Sequence, residues 1–218
     1  DILFTSNPPN LQLLRMIKRR VLVINGSIWL KILWFMRRFT RNSRVWIDIP
    51  FNFNEFYEFN NISPQLTFTA DEEELGQKLL RSMGVPIGAP FVCFFARDSA
   101  YLDVMHPYRS RLEWSYHDHR DCDIKNYLAA AEYVVSKGFF AVRMGQVVDK
   151  PLQHPDVEII DYASNYRSDF GDIYLAAKCS FFVGCNSGIV MLPHIFGVPV
   201  AHTNLIPLRH FPLGSKDI

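Results

Sequence analysis

The fold is decided by the stretch at residues 180–199, which reads SFFVGCNSGIVMLPHIFGVP. Residues 180–184 are strand-forming or small, residues 185–188 form the polar sequence CNSG, and an apolar run of helical character follows to residue 195. A glycine and a proline then end that run. This order predicts a strand, a tight polar turn and a helix.

The same alternation of short apolar runs and helical runs continues through the second half of the chain. Short apolar strands separated by helices favour a parallel sheet that is covered on both faces. We therefore expect an α/β, Rossmann-like domain there. The predicted strands are residues 91–96, 139–143, 157–160, 180–184 and 198–202, and the predicted helices are residues 123–137, 170–178 and 188–195.

The clearest helix signal stands before this region, at residues 69–84. Thr69 is followed three residues later by Glu72, which is the pattern of a capping box, and Gly84 is a typical terminator. Residues 65–69, just before the helix, are predicted to form a short strand.

The first 65 residues carry a weaker pattern, which predicts a partial N-terminal α/β portion. The chain begins with Asp rather than Met, so we expect a piece of a longer protein. The predicted elements of this portion are strands at residues 21–24 and 45–49 and a helix at residues 28–38.

Composition is that of an ordinary globular protein, with 218 residues, 49% hydrophobic side chains and a net charge of +1. The first 50 residues nevertheless hold nine Lys and Arg against two Asp. The four cysteines show no CxxC spacing, which favours reduced thiols and a cytoplasmic location. A nucleic-acid partner is not expected, because no recognised motif accompanies the basic region and the remainder of the chain is acidic.

Polar residues follow the predicted strands where the strands end. In a doubly wound sheet, ligands bind beyond the carboxyl ends of the strands, so these positions are candidates for a site. No GxGxxG follows any strand, which disfavours a dinucleotide-dependent dehydrogenase. The candidate residues are Arg97, Asp98 and Tyr101 after the first strand, Arg143 and Gly145 after the second, and Asn186, Ser187 and Gly188 after the strand at 180–184.

The chemistry of these candidates is that of anion recognition. Arg97 and Arg143 carry planar charged forks suited to paired phosphate oxygens, and Gly145 allows close backbone approach. The alternative for either arginine is an ion pair with an aspartate at the sheet edge, Asp98, Asp161 or Asp172.

Three of the candidates have competing roles of a different kind. Asp98 could act as a general base or, as we favour, orient Arg97. Asn186 or Ser187 could merely cap the following helix. Capping and binding are also compatible, because Ser187 could cap the helix while the remaining N–H groups of the turn face a ligand.

A long polar loop at residues 109–123 contains His117 and His119. An HxH pair can bind metal, but no third ligand is fixed by spacing, so no metal site is assigned. We expect the loop to form a lid or substrate edge, with Asp121 or Asp123 capping the next helix. His194 is expected to be a satisfied core histidine.

Four blocks of this sequence together resemble a bacterial family of predicted glycosyltransferases. That family is distantly similar to the nucleotide-sugar half of GT-B enzymes such as heptosyltransferases and fucosyltransferases. The blocks are LTFTADEEELGQKLLRSMGVP (66–86), FVCFFARDSAY (91–101), DCDIKNYLAAAEYVVSKGFFAVRMG (121–145) and LAAKCSFFVGCNSGIVMLPHIFGVP (175–199).

The resemblance implies an order of domains and a chemistry. Residues 1–65 would be a remnant of an N-terminal, acceptor-side domain, residues 66–90 a connecting helix and linker, and residues 91–218 a nucleotide-sugar-binding domain. The implied reaction transfers a sugar from a nucleotide-diphosphate donor to a cell-surface glycan or lipid-linked acceptor. Neither a metal nor another cofactor is implied, because arginines and backbone N–H groups stabilise the departing diphosphate.

The resemblance also implies roles for individual residues. Arg97 and Arg143 would contact phosphate, residues 186–188 would form the pyrophosphate turn, and Tyr101 would meet sugar or base. The alternative is a non-catalytic nucleotide- or sugar-binding module that keeps the pocket. The basic, aromatic segment at residues 28–44 fits peripheral contact with the inner face of a membrane, whereas its alternative is a core helix with a basic rim.

Overall fold

The computed structural model describes residues 2–5, 8–25, 27–40, 60–108, 110–205 and 216–218. The chain divides into two units, residues 1–52 and residues 53–218. The strand expected at residues 45–49 lies outside the described residues. Each unit is treated by itself below.

The first unit is a small α/β element, as the sequence pattern indicates. Two strands pair in parallel, and a helix connects them. The connecting helix begins where the Asn10 side chain accepts a hydrogen bond from the Leu13 N–H at 2.9 Å, a normal N-cap. The elements are β1 (Ile2–Thr5), α1 (Leu11–Lys18), β2 (Leu22–Asn25) and α2 (Ser27–Thr40).

The second unit contains a five-stranded parallel sheet, which confirms the expected fold class. Its order is β5-β4-β3-β6-β7, so the first strand of the unit is central and later strands are added on both sides. The direction of winding changes between β3 and β6, which is the topological switch point of a Rossmann-like sheet. The strands are β3 (Phe91–Phe95), β4 (Phe140–Arg143), β5 (Ile159–Asp161), β6 (Phe182–Gly184) and β7 (Val200–His202).

Helices and single helical turns connect these strands. No helix of the described residues is both long and apolar enough to cross a bilayer. The α-helices are α3 (Ala70–Ser82), α4 (Ala100–Met105), α5 (Arg111–Trp114), α6 (Leu128–Ser136), α7 (Tyr162–Asn165), α8 (Asp169–Lys178) and α9 (Met191–Ile195), and the 3₁₀ turns are Ser115–Arg120, Ile124–Tyr127 and Gly188–Val190.

The alternation of side chains along β3 divides the core into two layers. Phe91, Cys93 and Phe95 belong to a cluster that includes Leu175 of α8, whereas Phe94 and Ala96 belong to a cluster that includes Ala131 of α6. Because all five residues of β3 are buried, the strand is covered on both faces. The sequence of β3 is apolar at every position because both faces of the strand are buried.

The helix α3 begins with the capping box that the sequence predicts. The Thr69 N–H donates to Glu72 Oε2 at 2.8 Å, and the Glu72 N–H donates to Thr69 Oγ1 at 3.3 Å. Gly84 follows the helix with φ +83°, a conformation that favours glycine. The helix packs on α8, where Lys178 Nζ lies 2.6 Å from Glu73 Oε1.

The prediction of a short strand at residues 65–69 is wrong, because this segment pairs with no strand of the described residues. Its aromatic residue, Phe68, packs against other aromatic rings, and the segment forms no strand pair within the described residues. The ring of Phe68 lies 5.2 Å from that of Tyr174 and 5.7 Å from that of Phe196. The apolar character of the segment therefore reflects packing against helices.

The helix expected at residues 188–195 is present as two pieces, a 3₁₀ turn followed by the five-residue helix α9. Pro193 explains the division. Proline has no N–H, and its ring clashes with the carbonyl four residues earlier, which here belongs to Ile189. A continuous α-helix from residue 188 is therefore disfavoured.

Candidate functional site

The candidate site lies at the carboxyl ends of β3 and β6, on either side of the switch point. The loop after β3 and the turn after β6 are in direct contact, since the Arg97 N–H donates to Cys185 Sγ at 3.0 Å. Asn186 is buried, Ser187 is half-buried and Gly188 is exposed. Two of the predicted groups of site residues therefore meet at one edge of the sheet.

The guanidinium of Arg97 is held beneath the polar loop that follows α5. Arg97 is 8% exposed, pairs with the Asp121 carboxylate and donates to the His117 carbonyl at 3.3 Å. The Cys122 N–H in turn donates to the Arg97 carbonyl at 2.9 Å. The loop thus covers Arg97.

Arg120 is a second cation of this site, and the sequence reading did not single it out. Its Nη2 lies 2.5 Å from His117 Nδ1, and Asn204 Nδ2 donates to its carbonyl at 3.3 Å. Its Nε is buried and has no hydrogen-bond partner within the described part of the chain. The sequence signal was weak, because Arg120 is one of several charged residues in a polar loop.

The charges in this cluster influence one another. The pKa of Arg97 is lowered mainly by its burial and, to a smaller extent, by the positive charge of Arg120. Burial and the charges of Arg120 and Arg97 also lower the pKa of His117, so its ring is held neutral and can accept the hydrogen bond from Arg120. One of the two guanidinium groups is paired with Asp121, so an anion bound here would contact Arg120 and compete with that carboxylate for Arg97.

Asp98 connects two loops of the same edge. Its Oδ1 accepts the Ala100 N–H at 3.0 Å, and its Oδ2 accepts the Asp149 N–H at 3.1 Å. Both carboxylate oxygens therefore hold backbone, whereas the Arg97 guanidinium is held by Asp121. The role that we favoured for Asp98, orienting Arg97, is therefore wrong, and Asp98 instead positions two loops. Tyr101 follows on α4 and is half-buried.

Arg143 lies at the same edge, paired with Phe94 in the register of β3 and β4. Its guanidinium, however, is engaged elsewhere: Nη1 donates to the Lys150 carbonyl at 2.7 Å and lies 3.4 Å from Asp161 Oδ2. This is the ion pair that the sequence reading left open as the alternative for an arginine. The guanidinium of Arg143 is thus held by Asp161 and the Lys150 carbonyl, whereas that of Arg97 is held by Asp121 and the His117 carbonyl.

Gly145 is explained by packing in its own loop. A Cβ at this position would lie 2.6 Å from Val148 Cγ1. The close approach that requires glycine is therefore to a side chain of the same loop.

The turn after β6 behaves differently from the expected helix cap. Ser187 precedes the 3₁₀ turn but makes no side-chain capping hydrogen bond, so the expected cap is not formed. A helix as short as α9 also has little macrodipole to offer an anion. The space around Gly188 is open, since nothing lies within 4 Å of the position of a Cβ there.

The histidines are distributed between two places. Within the described residues, His117 and His119 do not gather a third metal ligand, whereas His194, His202 and Asp217 form one group. His194 is buried, as expected, and its Nε2 lies 2.7 Å from Asp217 Oδ2.

The capping role expected for Asp121 or Asp123 belongs to Asp123, whose side chain accepts a hydrogen bond from the Lys125 N–H at 2.9 Å.

A cavity of about 230 Å³ lies beside this second group and away from the candidate site. Neither Arg97 nor Asn186 lines it. Its walls are Asn60, Asn61, Ile62, Ser63, Pro64, His194, Gly197, Val198, Lys216 and Asp217.

Comparison with known proteins gives a structural likeness and no match of sequence. No family model and no curated protein matches the chain. It is similar to the crystal structure of the glycosyl transferase family 9 from Veillonella parvula DSM 2008, with a TM-score of 0.46 and 13% identity. The match covers 70% of this chain and 41% of that chain, so this chain spans less than half of that structure. A likeness of this size carries no functional argument.

Proposed function

We propose that the chain is a glycosyltransferase that binds a nucleotide-diphosphate sugar at the switch point between β3 and β6. One observation carries the proposal. Arg97, the half-buried Arg120 and the turn at residues 186–188 lie around the edge where Rossmann-like sheets bind their ligands. The acceptor would be a cell-surface glycan or a lipid-linked saccharide.

The chemistry of the donor favours these residues. A diphosphate leaving group gains negative charge as the glycosidic bond breaks, and guanidinium groups placed at that oxygen stabilise the transition state. The buried Nε of Arg120 has no hydrogen-bond partner among the described residues and would reach a phosphate oxygen after a shift of its loop, and Arg97 could exchange Asp121 for a phosphate oxygen. In this proposal neither a metal nor another cofactor is needed at the donor phosphates.

The residues behind the first contacts would shape the site. Arg143 and Gly145 would hold the wall formed by the loop after β4, and Asp98 would position that loop against the loop after β3. Tyr101 stands at the start of α4, where a sugar or base could meet it.

Calorimetry with UDP, GDP, ADP and TDP tests the binding step. Arg97→Met and Arg120→Met should each weaken binding about 10- to 150-fold, the value of one charge-assisted hydrogen bond of about 1.5–3 kcal/mol. The matched control is Lys137→Met, which removes a positive charge beside Tyr133. It should leave the affinity within about twofold.

The control matters because any loss of positive charge weakens anion binding to some degree. Equal effects of Lys137→Met and Arg120→Met would contradict a specific site. A wild-type chain that binds none of the four diphosphates would also contradict the proposal.

A second candidate function is a non-catalytic nucleotide- or sugar-binding module. The observation that favours it is the engagement of both Asp98 oxygens by backbone N–H groups, since Asp98 was the candidate base. Release of nucleoside diphosphate from a panel of nucleotide sugars distinguishes the two. Turnover supports the enzyme, whereas saturable binding without turnover supports the module.

We further propose that α2 contacts an anionic membrane surface. One side of the helix exposes large apolar residues, and three basic residues accompany them on the same helix. This composition fits the interface of an anionic leaflet. The four free cysteines fit its cytoplasmic side. The apolar residues are Ile28, Ile32, Phe35, Met36 and Phe39, and the basic residues are Lys31, Arg37 and Arg38.

Sedimentation with vesicles tests this contact. The wild-type chain should sediment with vesicles that contain phosphatidylglycerol and less with pure phosphatidylcholine. The double substitution Phe35→Glu and Phe39→Glu should abolish sedimentation, while Leu75→Glu, an exposed apolar position of α3, should not. Sedimentation that is unchanged in the double variant would contradict the proposal.

A further inference from the structure

Three side chains of metal-ligand type meet beside β7, and we refer to His194, His202 and Asp217 as the His–Asp–His cluster. His194 belongs to α9, His202 is the last residue of β7, and Asp217 lies on the segment at residues 216–218. This segment is attached to β7, since the His202 N–H donates to the Ile218 carbonyl at 2.8 Å. Three separate elements thus build one cluster.

The distances in the cluster are close to those of a metal coordination sphere. Asp217 Oδ2 lies 2.7 Å from His194 Nε2 and 3.2 Å from His202 Nε2, and all the ligand atoms lie within 4.8 Å of one another. Zinc bonds of about 2.0–2.2 Å place neighbouring ligand atoms of a tetrahedron about 3.4 Å apart. Shifts of less than about 1 Å would let these three atoms surround one ion.

The surroundings orient the ligands. The Val200 N–H donates to Asp217 Oδ1 at 2.9 Å, so the other oxygen is directed at the imidazoles. Hydrogen bonds that fix a ligating carboxylate in this way are a regular feature of metal sites. The strand β7 therefore supplies both a ligand, His202, and the group that positions another.

The cluster is buried in the protein. The side chains of His194 and His202 are 3% exposed and that of Asp217 is 4% exposed. A cation and a carboxylate attract each other more strongly in a poorly solvated position than in water. Burial therefore favours a cation held by all three ligands here over one held by carboxylates at the surface.

The neighbouring cavity offers a place for a further ligand. His194 and Asp217 both form part of the wall of the cavity of about 230 Å³, so one side of the cluster faces open space. A site with three protein ligands and one open position typically holds water or a small molecule in the fourth position.

We propose that the His–Asp–His cluster binds one divalent transition-metal ion of the Zn²⁺ type, with its fourth position toward the cavity. Two imidazoles and one carboxylate suit Zn²⁺ or Co²⁺, whereas Mg²⁺ and Ca²⁺ prefer oxygen ligands. The ion would hold the segment at residues 216–218 against β7 and α9. This site is separate from the proposed donor site and does not depend on it.

Zinc titration of the chelator-treated chain tests the proposal. Calorimetry should show one Zn²⁺ per chain, and zinc should raise the Tm. Asp217→Asn retains an oxygen that can accept the Val200 N–H but loses the negative ligand, so zinc affinity should fall at least about 100-fold. The matched control is His154→Ala, since His154 pairs with Glu132 and not with the cluster; its zinc affinity should equal that of the wild type.

A second measurement does not depend on the folding of any variant. Long-range ¹H–¹⁵N spectra of the wild-type chain should show zinc shifting the ring nitrogens of two of the seven histidines, those of His194 and His202. Absence of saturable zinc and cobalt binding would establish a self-contained hydrogen-bonded cluster and overturn the proposal. Shifts confined to His117 and His119, or unchanged affinity in Asp217→Asn, would overturn it as well.

Discussion

Replacement of Asp161 by alanine would remove the partner of the most buried arginine at the sheet edge. Arg143 is 2% exposed and Asp161 is 6% exposed. Besides Arg143, the carboxylate accepts the Leu152 N–H at 2.7 Å and the Ser164 N–H at 3.3 Å. Asp161→Ala therefore leaves a buried charge and two backbone donors without this acceptor.

The expected cost follows from the burial of the remaining charge. Removal of one partner of a buried ion pair costs about 3–5 kcal/mol, because the other charge stays in a poorly solvated position. A chain of about 150–250 residues loses roughly 2–4 °C of Tm per kcal/mol. We therefore expect the Tm of Asp161→Ala to fall by about 6–20 °C.

Thermal and urea unfolding followed by circular dichroism measure this effect. Asp149→Asn is the matched control, because the Asp149 side chain is 66% exposed and lies 3.7 Å from Lys150 Nζ. It should cost less than about 0.5 kcal/mol. Arg143→Met should cost less than Asp161→Ala, since Asp161 then keeps its backbone donors. A loss below about 1 kcal/mol for Asp161→Ala would refute the reasoning.

Two further predictions concern packing and pH. A Cβ at Gly76 would lie 2.0 Å from Tyr174 Cζ, and Phe68 packs on that ring. Gly76→Ala should therefore lower the free energy of unfolding in urea by about 1–2 kcal/mol, although alanine has the better helix propensity. An increase in the free energy of unfolding would show that the Tyr174 ring moves freely. The pKa of His117 is below its unfolded value, so its stabilising contribution is present above about pH 6.5 and is lost as the pH falls through the folded pKa. Between about pH 7.5 and pH 5, wild type should therefore lose more Tm than His117→Ala, and an equal loss in the two chains would contradict this role of His117.

Local signals in the sequence were sufficient for the fold. Each strand of the second unit is short and apolar because β3 and its neighbours are covered on both faces, and each such run ends at polar residues or glycine. The capping box at Thr69 and Glu72 acts between residues three apart, so it could be identified without tertiary information. The helix predicted after residue 188 is present as a 3₁₀ turn followed by α9, because Pro193 disfavours a continuous α-helix.

The partners of the charged residues could not be predicted in the same way. Arg97 and Arg143 both follow apolar strands and are equivalent in sequence, yet Arg97 lies under the loop that carries Arg120, while Arg143 pairs with Asp161. The pairs join residues 18 or more positions apart. Rules based on residue spacing describe contacts within a few positions of the chain, so they cannot identify such pairs.

The sequence by itself determined the alternation of strands and helices, the edge of the sheet at which polar residues collect, and the cap of α3, because these depend on periodicity and on neighbours within a few residues. Only the tertiary structure decided which cations share one site and that His194, His202 and Asp217 meet beside β7. The physical reason is that an ion pair or a coordination sphere depends on distances between side chains, and those distances are set by how the elements pack.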